Sequence, residues 1–213
     1  MSAIAPDAHM RDHWWWRPGW HVGRRMYTWH ITFEDQPSLH ELVEAYQAAV
    51  TSLSGLDLIP IPWLHLTMQG VAFTDEISWQ EVADIIEAGR KRLAAQHSVS
   101  LTADRALVDP EAIMLGLSSA EALYPVRTSI RAAIAEVRGA AKVPEAEQWN
   151  PHISLAYSNG NGPAAPYIEA LQTVTRPPVD LAISTVHLIE LSRDTHLYQW
   201  LTKAEIPLSR QNL

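Results

Sequence analysis

Two short stretches place an imidazole and a hydroxyl two residues apart: His65-Leu66-Thr67 and His152-Ile153-Ser154. In a strand, successive side chains point to opposite faces. Leu64, Leu66 and Met68 then share one face, while His65, Thr67 and Gln69 share the other. In the second stretch Ile153, Leu155 and Tyr157 form the apolar face, and His152 and Ser154 project together. Each imidazole–hydroxyl pair spans about 6.5–7 Å of strand rise. Two such pairs facing each other suit a phosphate diester. One neutral imidazole can take a proton from an attacking water, and the other, protonated, can give one to the leaving oxygen. The hydroxyls can donate to the non-bridging oxygens as charge develops there. Proton transfer and charge stabilisation are then both covered, so neither a metal nor another cofactor is expected.

One copy of this pattern means little, as a third copy at His30-Ile31-Thr32 shows. Two copies, each in an alternating run and each preceded by Pro62-Trp63 or Trp149-Asn150-Pro151, carry more.

The elements that must position these groups follow from the pattern. Tyr27 to Phe33 alternates, with Trp29, Ile31 and Phe33 inward and Thr28, His30 and Thr32 outward, as a half-buried strand. Ser38 is read as the cap of a helix to about Thr51 with Leu39, Leu42, Val43, Tyr46 and Val50 on one stripe. Pro60 and Pro62 bracket a short extended piece, and Trp63 to Val71 alternates again. Ser78 or Asp75 opens a second helix. Ser98 to Thr102 and Ala112 to Leu117 read as strands, and Ser118 or Ser119 caps a third helix to about Val137. After a connector at Pro144 to Gln148, His152 to Tyr157 is a strand, Pro166 to Val174 a short helix, and Asp180–Ser192 and Tyr198–Ile206 the last two strands. Intermingled strands and helices predict an α+β fold with helices packed on antiparallel sheets. A coarse duplication is visible, since each half has a helix followed by a motif-bearing strand. The expected organisation is an N-terminal tail and Trp-rich segment over 1–26, one domain over 27–207, and a tail over 208–213.

Totals exclude several classes. The net charge of −8 disfavours a non-specific grip on long DNA or RNA, which needs clustered Lys and Arg. A nucleic-acid partner would be a small nucleotide or a terminus. There is no cysteine, hence no disulfide and no thiolate metal site. No apolar run reaches the ~18 residues of a membrane span. Met1 to Arg11 lacks the features of a secretory signal, so a cytoplasmic location is expected. No histidine pair has metal-ligand spacing on a predicted helix.

Pro62-Trp63-Leu64-His65-Leu66-Thr67-Met68-Gln69-Gly70 and Asn150-Pro151-His152-Ile153-Ser154-Leu155-Ala156-Tyr157 resemble the paired signatures of the two-histidine (2H) phosphoesterase superfamily, in its 2′-5′ RNA ligase-like or RNA 2′,3′-cyclic phosphodiesterase branch. The resemblance covers roughly Tyr27 to Pro207. It implies a duplicated bilobal fold, two antiparallel sheets facing across a central cleft with helices outside. It also implies metal-independent hydrolysis of a 2′,3′-cyclic phosphate or related phosphodiester. By motif, His65 and His152 become the acid/base pair, and Thr67 and Ser154 the phosphate-binding hydroxyls. It leaves open which histidine is base, and says nothing of the Trp-rich segment.

Further candidates for substrate contact stand beside these. His30 either lines the cleft or is an ordinary surface or interface histidine. Gln69 follows the face of His65, and alternation from His65 puts Trp63 there too. Tyr157 falls on the core face unless its strand bulges. Arg193, in a turn after a strand, would suit an anion, as would Arg24 and Arg25. Trp14, Trp15, Trp16 and Trp20 either stack on a base or cap a lobe or dimer contact, and the oligomeric state stays open. Three functions fit: hydrolysis, reversible 2′-5′ end joining from a cyclic phosphate and a 5′-hydroxyl, or nucleotide binding without turnover.

Overall fold

The computed structural model describes residues 5, 7–144 and 149–210. Along the chain run β1 (His9–Met10), β2 (Met26–Thr32), α1 (Pro37–Val50), β3 (Leu56–Leu58), β4 (His65–Phe73), α2 (Trp79–Leu93), β5 (Val99–Val108), β6 (Ala112–Ser118), α3 (Tyr124–Arg138), β7 (Ile153–Ser158), β8 (Gly162–Pro163), α4 (Ala165–Gln172), β9 (Val179–Ile183), β10 (Thr185–Ser192) and β11 (Gln199–Pro207). One antiparallel sheet has the order β11-β10-β2-β4, the other β3-β7-β6-β5-β9. Helices α2 and α3 pack on the four-stranded sheet, and α1 and α4 on the five-stranded one. Each motif strand therefore sits in its own lobe, β4 in one and β7 in the other, and the two approach each other across the cleft.

Apolar alternation builds the lobes as expected. Trp29 and Ile31 of β2 and Leu66 of β4 are fully buried on the helix side. Close packing there depends on Gly89 of α2, where an added Cβ would stand 3.1 Å from the Trp29 ring. Ser78 caps α2 through a reciprocal box with Glu81, which satisfies two otherwise free backbone donors.

Several expected boundaries differ for physical reasons. Helix α1 begins at Pro37, whose ring pre-sets φ for the first turn, so Ser38 lies inside the helix and caps nothing. Between Pro60 and Leu64 the chain turns as a 3₁₀ helix over Ile61–Trp63 instead of running extended. Another 3₁₀ turn, Ala120–Leu123, precedes α3, and Ser119 there adopts φ 62° without a side-chain cap. The span Asp180–Ser192 is two strands, not one. It breaks at Ser184, where the chain passes from the five-stranded sheet (β9) to the four-stranded sheet (β10).

The ends are not loose tails where they are described. Strand β1 pairs with β8, Met10 is 2% exposed, and the Arg11 N–H donates to the Pro110 carbonyl. At the other end Leu208 is buried, and the Ser98 N–H donates to the Ser209 carbonyl. Residues 1–4, 6 and 211–213, and the connector at 145–148, lie outside the described residues.

Candidate active site

Both motif histidines are held by the same local device. His65 Nδ1 lies 2.8 Å from the Trp63 carbonyl oxygen, and His152 Nδ1 lies 2.9 Å from that of Asn150. A carbonyl only accepts, so each Nδ1 carries the proton and each Nε2 keeps a lone pair when the ring is neutral. The four motif side chains His65, Thr67, His152 and Ser154 line one cavity of about 260 Å³. They differ in depth. His65 (9% exposed) and Ser154 (4%) are buried, whereas Thr67 is exposed and His152 half-buried. The mouth of the cleft is therefore at Thr67 and His152, and its inner side at His65 and Ser154.

The surroundings of His65 explain its protonation state. Its ring stacks on His30 at 4.6 Å, and Tyr198 and Trp200 present their rings edgewise at 5.8 and 5.4 Å. Burial pushes its pKa down to about 4, with the Trp63 carbonyl opposing and His152 adding to the shift. His30 is lowered well below the usual histidine range, by burial first and then by His65 and His187. Both rings are neutral at pH 7.

His30 is 1% exposed and stands behind the hydroxyl row. Its Nε2 lies 3.1 Å from Thr67 Oγ1, so it orients Thr67. It is not a surface residue, and it lines the same cavity as the four motif side chains. Trp63 ends the 3₁₀ turn, outside strand alternation, and packs edge-to-face on Trp200 at 4.8 Å.

Two bulges decide the fate of Gln69 and Tyr157. In the β2–β4 ladder Trp29 faces Gln69 but His30 faces Thr67, so one extra residue, Met68, sits on β4. The slip turns Gln69 away from the cleft, against the expectation from simple alternation. Its amide donates to the Pro144 carbonyl and its oxygen accepts from Arg131 of α3. In the β6–β7 ladder Ile113 faces Ala156 and Met114 faces Ser154, leaving Leu155 extra. That bulge brings Tyr157 into the cleft beside Ser154, which hydrogen-bonds it.

Arg193 is not at the cavity surface. It is 3% exposed, and its Nη2 donates to the carbonyl oxygens of His13 and Trp15. Its guanidinium lies among Trp14, Trp16, Trp20 and Tyr198. Arg24 is tied to Asp75 and Glu76, and Arg25 to Asp194, outside the cavity lining. Trp14 is core, 6% exposed, while Trp15 and Trp16 stay about half exposed at 45% and 48%.

Sequence reasoning missed His13 and Tyr198, which also line the cavity, together with Trp20 of the expected stacking or capping tryptophans. His13 stacks on Tyr157 at 4.1 Å and lies 3.0 Å from the Tyr198 hydroxyl. Burial, with Arg17, lowers its pKa to about 3, although Glu111 opposes this. Only the Trp-rich composition around it hinted at a packed segment. Among the described residues no group of three or more His, Cys, Asp or Glu is placed to hold a metal ion, and no helix is long and apolar enough to cross a membrane.

Known structures share this fold. A protein from Thermus thermophilus, TT0787, superposes with TM-score 0.66 at 18% identity, over 88% of this chain and 100% of that one. LigT of E. coli complexed with 3′-AMP superposes with TM-score 0.64 at 15% identity, over 87% and 99%. A conserved protein of unknown function from Agrobacterium tumefaciens str. C58, ATU0111, gives TM-score 0.52 at 16% identity, over 84% and 85%. At such identities these likenesses establish the fold. No curated protein sequence matches the chain. The sequence profile of the 2′-5′ RNA ligase superfamily, however, matches residues 33–195, which include both motifs, and the chain belongs to that superfamily of two-histidine phosphoesterases.

Proposed function

We propose that the protein is a metal-independent phosphodiesterase that opens a 2′,3′-cyclic phosphate, or a closely related nucleotide or RNA-end diester, by His/His acid–base catalysis. The observation that carries this is the pair of Nε2 atoms, each freed by an Nδ1–H···O=C bond to the residue two before it, in one cleft with two hydroxyls. The substrate class fits the charge of −8, which favours a small ligand over a long polyanion. It also fits LigT, crystallised with 3′-AMP, a molecule of the size of a cyclic nucleotide's product.

The difference in depth supports one division of the roles. In-line displacement puts attacking and leaving oxygens on opposite sides of phosphorus. With the departing ribose oxygen turned toward the mouth, water attacks from the inner side. Neutral His65, on the inner side, takes the water proton on Nε2 as the new P–O bond forms. His152, at the mouth, protonates the departing ribose oxygen as the P–O bond to the ring breaks. Thr67, steadied by His30, and Ser154 donate to the non-bridging oxygens. The product is a phosphate monoester on the ribose.

A panel of 2′,3′-cyclic nucleotides and short RNAs ending in a cyclic phosphate, assayed throughout in EDTA, tests this. Turnover that persists in the chelator is expected; turnover restored only by added divalent metal would refute the mechanism. The pH profile tests the base. With the His65 pKa at about 4, the acid limb of kcat/KM should lie near pH 4, leaving activity undiminished at about pH 5.5. An acid limb between pH 6 and 7 would mean that the base is not a buried His65.

A further inference from the structure

The chain from Ala8 to Trp20 precedes the family match and lies as a strap across both lobes. On the five-stranded side the His13 N–H donates to the Ser158 carbonyl (2.8 Å), and Trp14 Nε1 to Asp57 of β3 (2.9 Å). On the other side Arg193, just after β10, donates through Nη2 to the carbonyls of His13 and Trp15 at 3.0 and 3.3 Å. These bonds satisfy one end of the guanidinium and leave its charge uncompensated. Arg193 is 3% exposed, and its buried Nη1 has no hydrogen-bond partner. The acidic side chains of the surrounding segments are engaged elsewhere: Asp194 with Arg25, Glu111 with Arg11 and Arg17, and Asp57 with Trp14. Four rings, those of Trp14, Trp16, Trp20 and Tyr198, stand 5.5, 5.9, 5.9 and 5.7 Å from the guanidinium carbon instead. Ring faces offset part of the cost of burying the ion, but they carry no net charge. Trp20 and Tyr198 also line the cleft. The Tyr198 ring is 5.7 Å from the guanidinium on one side and 5.8 Å from the His65 ring on the other. The field of Arg193 crosses that wall. Burial lowers the His13 pKa and raises those of Tyr157 and Tyr198; Arg193 adds to the first shift and opposes the other two. Tyr157 in turn hydrogen-bonds Ser154, one of the two motif hydroxyls.

We propose that Arg193 is an electrostatic positioning residue, a fixed cation one aromatic ring behind the cleft wall whose counter-ion is the phosphate of the bound ligand. The inference deepens the reading above and rests on it for the place the phosphate occupies. Arg193 does not touch the ligand. It makes the cleft locally attractive to an anion in a chain whose net charge of −8 would otherwise repel one. Attraction between unit charges about 10 Å apart, at an effective dielectric of about 20, corresponds to roughly ten- to twentyfold in affinity. The rings around the guanidinium keep water from it, which preserves that field.

The test compares binding of 3′-AMP, which carries a phosphate, with that of adenosine, which lacks it, in the full chain. Arg193→Met removes the charge and keeps an apolar stem among the rings, while Arg193→Lys keeps the charge. Because Arg193 also ties the strap down, a second pair of variants leaves its hydrogen bonds alone. Trp16 is 48% exposed, and Trp16→Glu sets a carboxylate beside the guanidinium, whereas Trp16→Gln makes nearly the same change in shape without the charge. Unfolding midpoints check that each variant is folded. Affinity for 3′-AMP should fall about tenfold in Arg193→Met and in Trp16→Glu, and stay within about threefold of wild type in Arg193→Lys and Trp16→Gln, with adenosine unmoved throughout. Equal effects of Trp16→Glu and Trp16→Gln, wild-type affinity for 3′-AMP in a folded Arg193→Met, or an equal loss for adenosine would overturn the inference. So would a wild type that binds 3′-AMP no more tightly than adenosine. Charge-dependent binding without turnover of any cyclic phosphate would keep Arg193 in this role and sink the phosphodiesterase reading; turnover with binding indifferent to these charges would do the reverse.

Discussion

His65→Ala and His152→Ala should each lower kcat for opening a 2′,3′-cyclic phosphate by about 10²–10⁴, the usual worth of a positioned acid or base. The double variant should lose little more than the worse single one, because the two groups act in one step. The substitutions become distinguishable when the leaving group changes. A nitrophenyl phosphodiester releases a weakly basic phenolate that needs no proton. His152→Ala should then approach wild-type rates on it, while His65→Ala stays impaired, since activation of water is still required. The reverse pattern would exchange the two roles, and wild-type rates in both variants would remove both residues from the mechanism. The asymmetry has a physical origin. His65 is boxed in by His30, Tyr198 and Trp200, which favour the neutral ring, whereas His152 is half-buried with its Nδ1 on an exposed carbonyl.

That asymmetry was invisible in two nearly symmetric motifs. What alternation did reveal was the side of each motif strand: Leu64 and Leu66 inward, His65 and Thr67 toward the cleft, with His152 and Ser154 likewise together. Alternation fails wherever one extra residue enters a ladder, because a bulge leaves the sequence pattern locally intact. At Met68 the failure removed Gln69 from the cleft, and at Leu155 it added Tyr157. The strap was hidden for a different reason. His13 and Arg193 are held together through a backbone carbonyl, across 180 residues of chain, and no side-chain pattern encodes such a bond. The break at Ser184 was likewise concealed, since both flanking strands alternate in the ordinary way and only the sheet to which they belong changes.

Burying three imidazoles around one cleft should make the fold acid-labile above the range where carboxylates titrate. His65 is lowered to about 4, His13 to about 3, and His30 well below the ordinary value, all chiefly by burial. A histidine whose folded pKa is depressed binds its proton better in the unfolded chain. Its cost is therefore absent above pH ~6.5 and grows as pH falls from there toward the folded pKa. For His65 alone the full effect is about 3 kcal/mol, a large share of the 5–15 kcal/mol typical of a domain. At roughly 2–4 °C per kcal/mol for a chain of this size, Tm should drop by about 6–12 °C from this residue between pH 7 and pH 4, with His13 and His30 adding in the same direction. Asp75, Glu81 and Glu111, whose pKa values are lowered, contribute only at lower pH. Calorimetric melting from pH 7.5 to 4.5 should consequently show a steep fall that begins near pH 6.5. His30→Leu should flatten it, whatever its effect on absolute stability, because the buried ring and its unpartnered Nδ1 are both removed. A Tm that stays level down to pH 4.5 would mean that these rings charge without cost, and the neutral His65 on which the water-activating role depends would be lost with it.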